Sequence, residues 1–217
     1  MKRVFLLLST VCCLLSAVFL WSCGGGPGSP GSQGTEDTGV AVDATISFAG
    51  NPDKSTQTYD VDAFQDICQV GPPPVYEKIF DHAAQVTFTA SLLNPNATFT
   101  PGTLYIENYT ITYTRKNDSL GAPSIEQYSG TPIGGPIAIV PPTGTGTTSV
   151  TATVMFVDLR RKDKYASDML TGSYSSSLAY LNNYTATYTF TGHNSFGTSF
   201  TVMIPGTDFE IGDFNNC

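Results

Sequence analysis

Tyr184-Thr185-Ala186-Thr187-Tyr188-Thr189-Phe190-Thr191 alternates without a break between an apolar or aromatic residue and a threonine. A period of two puts Tyr184, Ala186, Tyr188 and Phe190 on one side of an extended chain and all four threonines on the other. A helix, turning every 3.6 residues, would scatter these four apolar groups around its circumference. The segment therefore predicts a half-buried strand whose threonines hold extended backbone on the wet face. The same rhythm returns elsewhere. Val42, Ala44, Ile46 and Phe48 alternate with Asp43, Thr45 and Ser47, and Val86, Phe88, Ala90 and Leu92 with Thr87, Thr89 and Ser91. Tyr109, Ile111 and Tyr113 alternate with threonines, Val150, Ala152, Val154 and Phe156 are set against Thr151 and Thr153, and Phe200, Val202 and Ile204 close the series.

Turn-forming clusters separate these runs: Asn94-Pro95-Asn96, Asn117-Asp118-Ser119, Gly134-Gly135-Pro136, Pro141-Pro142-Thr143-Gly144 and Gly192-His193-Asn194-Ser195-Phe196-Gly197. Only Asp158 to Leu170, with Arg160, Arg161, Lys162, Asp163 and Lys164, breaks the pattern, as a short helix or a charged crossover. Residues 40–217 thus read as one all-β domain, an antiparallel immunoglobulin-like β-sandwich of about seven or more strands. Such a length can bury a self-sufficient core.

The amino terminus has a different character. Lys2 and Arg3 precede an apolar run from Val4 to Leu20, the pattern of a signal peptide over residues 1–22. An uncleaved anchor is the alternative, since such a run lies at the short end for a membrane span. Leu20-Trp21-Ser22-Cys23 resembles the lipobox of bacterial lipoproteins, although the position of Trp21 usually carries a smaller residue. The resemblance implies that Cys23 becomes the acylated first residue of the mature chain. It would carry fatty-acyl chains such as palmitate, and more than one chain is what stable anchoring takes. Residues 23–39 then form a Gly/Ser/Pro-rich tether. Its eleven residues from Gly24 to Gly34 have a root-mean-square span of roughly 20 Å. Gly24 is not the Asp that retains lipoproteins at the inner membrane in familiar Gram-negative sorting, so the resemblance favours the outer membrane.

Beyond residue 22 there are 8 basic and 18 acidic side chains, a net charge of −10. That balance argues against nucleic acid as a partner and against charge-driven docking on anionic lipid. Of five cysteines, the signal reading removes Cys12 and Cys13, and the lipobox resemblance implies that Cys23 is acylated. Cys68 and Cys217 remain, and in an oxidising compartment they can pair. Their bridge would close a loop of about 150 residues, worth roughly 5 kcal/mol in the chain-entropy description.

Ile106-Glu107-Asn108-Tyr109-Thr110-Ile111-Thr112-Tyr113-Thr114-Arg115, Pro-Ile-Ala-Ile-Val-Pro-Pro at 136–142, and the closing Phe209-Glu210-Ile211-Gly212-Asp213-Phe214 carry a second resemblance. They resemble uncharacterised bacterial lipoproteins with an immunoglobulin- or fibronectin-III-like sandwich, over most of residues 84–214. Asn94-Pro95-Asn96 after a strand is also similar to the sandwich of late-embryogenesis-like water-stress domains. Neither group supplies a catalytic residue. What they imply is a fold and an envelope location.

The inventory of reactive groups is short. His82 follows Asp81, a pair that could orient a general base, and His193 falls in a hairpin turn. No nucleophile elbow, paired C-x-x-C, H-E-x-x-H or C-x-x-C-H accompanies them, and Gly144-Thr145-Gly146 lacks the Gly and Lys of a phosphate loop. Two acidic clusters, Asp60/Asp62/Asp66 and Asp208/Glu210/Asp213, could offer oxygen ligands to calcium, but neither has calcium-loop spacing. The only tryptophan, Trp21, lies in the signal, which weakens a sugar-stacking role. No cofactor and no metal site is expected. The reading is a lipid-anchored, non-enzymatic envelope domain that binds a protein or polysaccharide or assists assembly. The alternatives are a hydrolase of envelope material working through His82 and a structural domain stiffened by calcium.

Overall fold

A computed structural model describes residues 35–48, 60–96, 100–174, 180–214 and 217. The signal segment, Cys23 and the tether up to residue 34 lie outside the described residues. The strands are β1 (Val40–Phe48), β2 (Asp60–Asp62), β3 (Ile67–Gln69), β4 (Val75–Tyr76), β5 (His82–Leu92), β6 (Leu104–Arg115), β7 (Tyr128–Gly130), β8 (Ile137–Ile139), β9 (Thr147–Val157), β10 (Asn182–Asn194) and β11 (Ser199–Gly212). Among the described residues one α-helix, α1 (Leu159–Leu170), follows β9.

The strands form a three-stranded sheet in the order β1-β5-β9 and a six-stranded sheet in the order β2-β11-β10-β6-β7, with β8 also on β6. β3 and β4 make a separate hairpin. The all-β expectation holds, and each alternating run lies in a strand. Wholly antiparallel pairing does not hold, because β2 runs parallel to β11, with Val61 opposite Ile211. Asp158 to Leu170 resolves to the helix.

The alternation becomes burial as expected. Ala84, Val86, Phe88 and Ala90 of β5 and Tyr184, Ala186, Tyr188 and Phe190 of β10 are fully buried, facing one another across the core. Phe88 meets Phe190 edge-on with ring centroids 5.0 Å apart, and Phe156 meets Phe209 at 4.8 Å. Edge-to-face pairs add roughly 0.5–1.5 kcal/mol beyond the area they bury.

β9 is an edge strand, and its outward backbone groups are met by tyrosine side chains and one backbone bridge rather than by a further strand. Tyr109 accepts from the Met155 N–H at 2.7 Å, and Tyr188 donates to the Met155 carbonyl at 3.2 Å. Tyr113 donates to the Phe156 carbonyl, and the Ile133 N–H donates to the Thr153 carbonyl at 2.9 Å. Burial pushes all three tyrosine hydroxyls well above the usual phenolic range. They stay protonated, as the donations by Tyr113 and Tyr188 require.

Two bulges bend the larger sheet. β6 carries one residue more than β10 between Ile106 and Asn108, so its buried set shifts from Leu104 and Ile106 to Tyr109, Ile111 and Tyr113. β11 is bulged at Pro205-Gly206, where Ala186 and Tyr188 face Thr207 and Ile204. Bulges strengthen twist and bend the strand, and the sheets curl into a half-barrel. Gly192 sits at the first bulge, where a Cβ would lie 1.9 Å from the Tyr105 carbonyl oxygen.

Two substitutions separate these contributions. Tyr188→Phe leaves the Met155 carbonyl short of a partner and is expected to cost about 1–3 kcal/mol, read as a lower urea midpoint with an unchanged slope. Gly192→Ala forces two backbones apart and is expected to cost more than Tyr188→Phe in the same titration. An unchanged midpoint for either would refute the corresponding contact.

Candidate functional site

The charged and reactive groups gather at the end of the half-barrel where β5 begins, β9 ends and α1 lies. Two carboxylates hold the helix start. Asp158 caps it by accepting from the Arg161 N–H at 3.1 Å, and Asp81 accepts from the Leu159 N–H at 2.7 Å. Acidic groups there meet the positive end of the helix dipole. The Arg161 guanidinium pairs with Asp158 at 2.7 Å, donates to the Glu126 and Gln127 carbonyls, and lies 5.0 Å from the Tyr128 ring centroid. Arg160 pairs with Glu126, and Lys164 with Asp168. The basic cluster is thus distributed around the helix into local pairs.

Lys162 turns inward with Tyr165 and Met169, and only 1% of it is exposed. Burial pulls its ammonium down to about 8, against the opposing pull of Asp62, Asp81, Glu77 and Asp163. His82 opens β5 and is half-buried. Burial, followed by the nearby Lys162 charge, lowers its imidazole to about 4, so it is neutral at pH 7. Asp81 does not hold it in a dyad, since the Asp81 carboxylate is given to the helix start. Successive side chains of an extended chain point to opposite sides, which separates the two neighbours. His193 lies within β10 rather than in the turn, 3.2 Å from Glu107 and beside the Tyr105 ring.

The acidic clusters are divided among different tasks. Asp60 and Asp62 are both buried in β2, and the Asp62 carboxylate accepts from the Phe64 N–H at 3.1 Å. Asp66 joins Glu77 through backbone and side-chain bonds. Asp208 binds Lys116 at 2.6 Å and Thr185 at 2.7 Å, which holds its carboxyl below the usual range. Among the described residues no three His, Cys, Asp or Glu side chains converge on a metal position.

Beside α1 runs an open groove of about 950 Å³ between Ala166 and Leu170 of the helix and Phe64, Ile79 and Tyr180. Phe64 stacks on Tyr180 at 4.9 Å, and the Tyr165 hydroxyl donates to the Tyr180 carbonyl at 2.6 Å. Asp213 lines the groove, its carboxyl raised by burial and by the Asp66 and Glu77 charges. Next to it stands the β3–β4 hairpin. Val70 is 92% exposed, and Ile67, Val75, Tyr76 and Phe80 are each at least half exposed. The expected Cys68–Cys217 bond is formed, with Cα atoms 5.0 Å apart across 149 residues of sequence, and it fastens the carboxyl end to this hairpin. The apolar run Val70-Gly71-Pro72-Pro73-Pro74-Val75-Tyr76 is plain in the sequence. Lys162 was findable too, at helical spacing from Tyr165 and Met169.

Two outcomes follow. His82 binds its proton near 6.5 when unfolded but near 4 when folded, so the unfolded state takes up more protons between those values. Stability is then complete above pH 6.5 and falls by up to roughly 3 kcal/mol as pH drops to 4. His82→Gln is expected to flatten that slope in urea titrations at pH 7.5 and 4.5; an identical slope would disprove the assignment. Reducing the disulfide is expected to speed tryptic cleavage after Lys78 while cleavage after Arg115, at the end of β6, is unchanged. Equal cleavage with and without reductant would show that the bond does not hold this lobe.

No family model matches the chain, and no curated protein matches it. Solved structures align over most of it at low similarity. One is the X-ray structure of a Northeast Structural Genomics Consortium target, at 11% identity and TM-score 0.32, covering 81% of this chain and 87% of that one. Another is the solution structure of a candidate late embryogenesis abundant (LEA) protein, at 11% identity and TM-score 0.35, covering 81% and 74%. A third is the crystal structure of the candidate ApaA protein from Bordetella pertussis, at 10% identity and TM-score 0.30, covering 80% and 93%.

Proposed function

We propose that the chain is a lipid-anchored envelope lipoprotein whose residues 40–217 form a non-enzymatic binding or assembly-accessory domain of immunoglobulin-like type. The anchor rests on Lys2, Arg3, the apolar run and Cys23, with the outer membrane favoured. The immunoglobulin-like reading draws support from two β-sheets facing across an aromatic core, to which α1 and the parallel β2–β11 pair are additions. The partner is a protein or a polysaccharide; the acidic balance makes nucleic acid a poor ligand.

The observation that carries the binding role is the β3–β4 hairpin. Its Ile67, Val70, Val75 and Tyr76 side chains stay open to solvent, as does Phe80 just beyond it, and a covalent bond holds it to the chain end. Contiguous exposed apolar surface is the usual mark of an interaction site. The hairpin also stands at the end of the domain opposite the point where the chain comes in, since Val40 pairs with Leu92 while β5 starts at His82.

Incorporation of a labelled fatty acid by wild type but not by Cys23→Ser tests the anchor, and equal labelling of the two would refute acylation at Cys23. A photo-crosslinking residue at Val70 in intact cells is expected to give a discrete adduct that the same residue at Thr112, on the wet face of β6, does not. Identical adducts at both positions, or none at Val70, would overturn the hairpin's role.

A further inference from the structure

We infer that the end of the half-barrel opposite the hairpin rests on the lipid bilayer, with Phe196, Leu93 and Val140 inserted at headgroup depth. These residues come from three separate loops. Leu93 follows β5, Val140 follows β8, and Phe196 tips the β10–β11 turn. The ladders bring the loops to one end, because Leu104 pairs with both Ile139 and Asn194, and the Ser195 N–H donates to the Thr103 carbonyl at 2.8 Å. The three side chains are 50–65% exposed.

Charge separates the two ends of the molecule. Residues 93–96, 100–103, 140–146 and 195–198 contain no Asp, Glu, Lys or Arg. The far end holds Asp62, Asp66, Glu77, Asp81, Lys162 and the basic pairs of α1. In a chain this acidic, the end with uncharged loops is the one that meets a membrane at least electrostatic cost. The acids near it are Asp37, in the turn leading into β1, and Glu107, which His193 meets at 3.2 Å.

The tether fixes which end is held down. The Leu93 N–H donates to the Gly39 carbonyl at 3.2 Å, so the chain comes into the domain beside Leu93. From Cys23 to Thr35 even a fully extended chain spans no more than about 40 Å, at 3.3–3.6 Å per residue. That is about the length of β6, twelve residues at some 3.3 Å each. A tether with a typical span of half that keeps the Leu93 end at the surface and holds the hairpin outward. The inference rests on the anchored reading in one respect, that residue 23 is held at a bilayer. Acylation and an uncleaved apolar segment both satisfy it.

The absence of tryptophan beyond Trp21 makes the test direct. Full chains carrying Trp21→Ala and one further replacement, Phe196→Trp, Leu93→Trp or the control Val70→Trp, are reconstituted in phosphatidylcholine–phosphatidylethanolamine vesicles containing acyl-brominated phosphatidylcholine. Phe196→Trp and Leu93→Trp are expected to lose about half of their emission to the brominated lipid, as for groups buried 5–10 Å into the headgroup boundary, and to be shielded from aqueous iodide. Val70→Trp is expected to show the reverse. Equal iodide access at all three positions overturns the orientation. Shielding that grows with protein concentration before vesicles are added assigns the loops to a second copy and overturns it as well. Detergent partition of the same preparations reports anchoring separately. If the chain stays aqueous, Cys23 is coupled to a maleimide lipid, with Cys12→Ser and Cys13→Ser, and the quenching then decides the orientation alone.

Discussion

The structure depends on how the outer edge of β9 is closed. A three-stranded sheet of this length exposes a row of backbone groups along each edge, and such a row recruits other chains unless something meets it. Here the opposite sheet meets it, with Tyr109 and Tyr188 bracketing the Met155 peptide and Tyr113 reaching the Phe156 carbonyl. The same three rings fill the core between the sheets. Packing and backbone satisfaction are therefore coupled, and losing one hydroxyl leaves a buried peptide group as well as a gap.

That coupling requires the larger sheet to curl, since tyrosines from β6 and β10 must reach one short stretch of β9. The bulges at Glu107 and at Pro205-Gly206 supply the bend. The first also leaves Glu107 on the surface, where it meets His193 at 3.2 Å. Gly192 allows β10 to approach the bulged strand, which a side chain would prevent. An irregularity in pairing is thus a condition for the regular core beneath it.

The alternating stripes made the strands legible, because burying one face of a strand imposes a period of two on the sequence. The bulges were not legible. In β6 the buried set changes parity between Ile106 and Tyr109, and in β11 Pro205-Gly206 reads as a turn, so the stretch from Thr207 to Gly212 looks like a separate segment. The parallel β2–β11 pair was equally hidden, since Asp60-Val61-Asp62 is too short and too acidic to announce a strand. The cysteine pairing was legible from the count, two cysteines remaining once the amino-terminal ones are set aside. The fate of Asp81 and His82 was not, because adjacency in sequence says nothing about which neighbour each side chain meets across the fold. Lys162 is the opposite case, a charged residue on the apolar face of a helix whose spacing was visible from the start.

The antiparallel pairing of β1 with β5 has a mechanical consequence. The chain comes into β1 beside Leu93, whereas the hairpin leads into β5 at the other end, and nine residue pairs from Val40–Leu92 to Phe48–Ala84 lie between. A pull applied between the amino-terminal segment and the hairpin draws the two strands along their lengths in opposite directions. The hydrogen bonds, perpendicular to the strands, then share the load and must fail together instead of one after another. The domain is built to transmit tension along that axis and would yield far more readily to a force that peeled β1 away from one end.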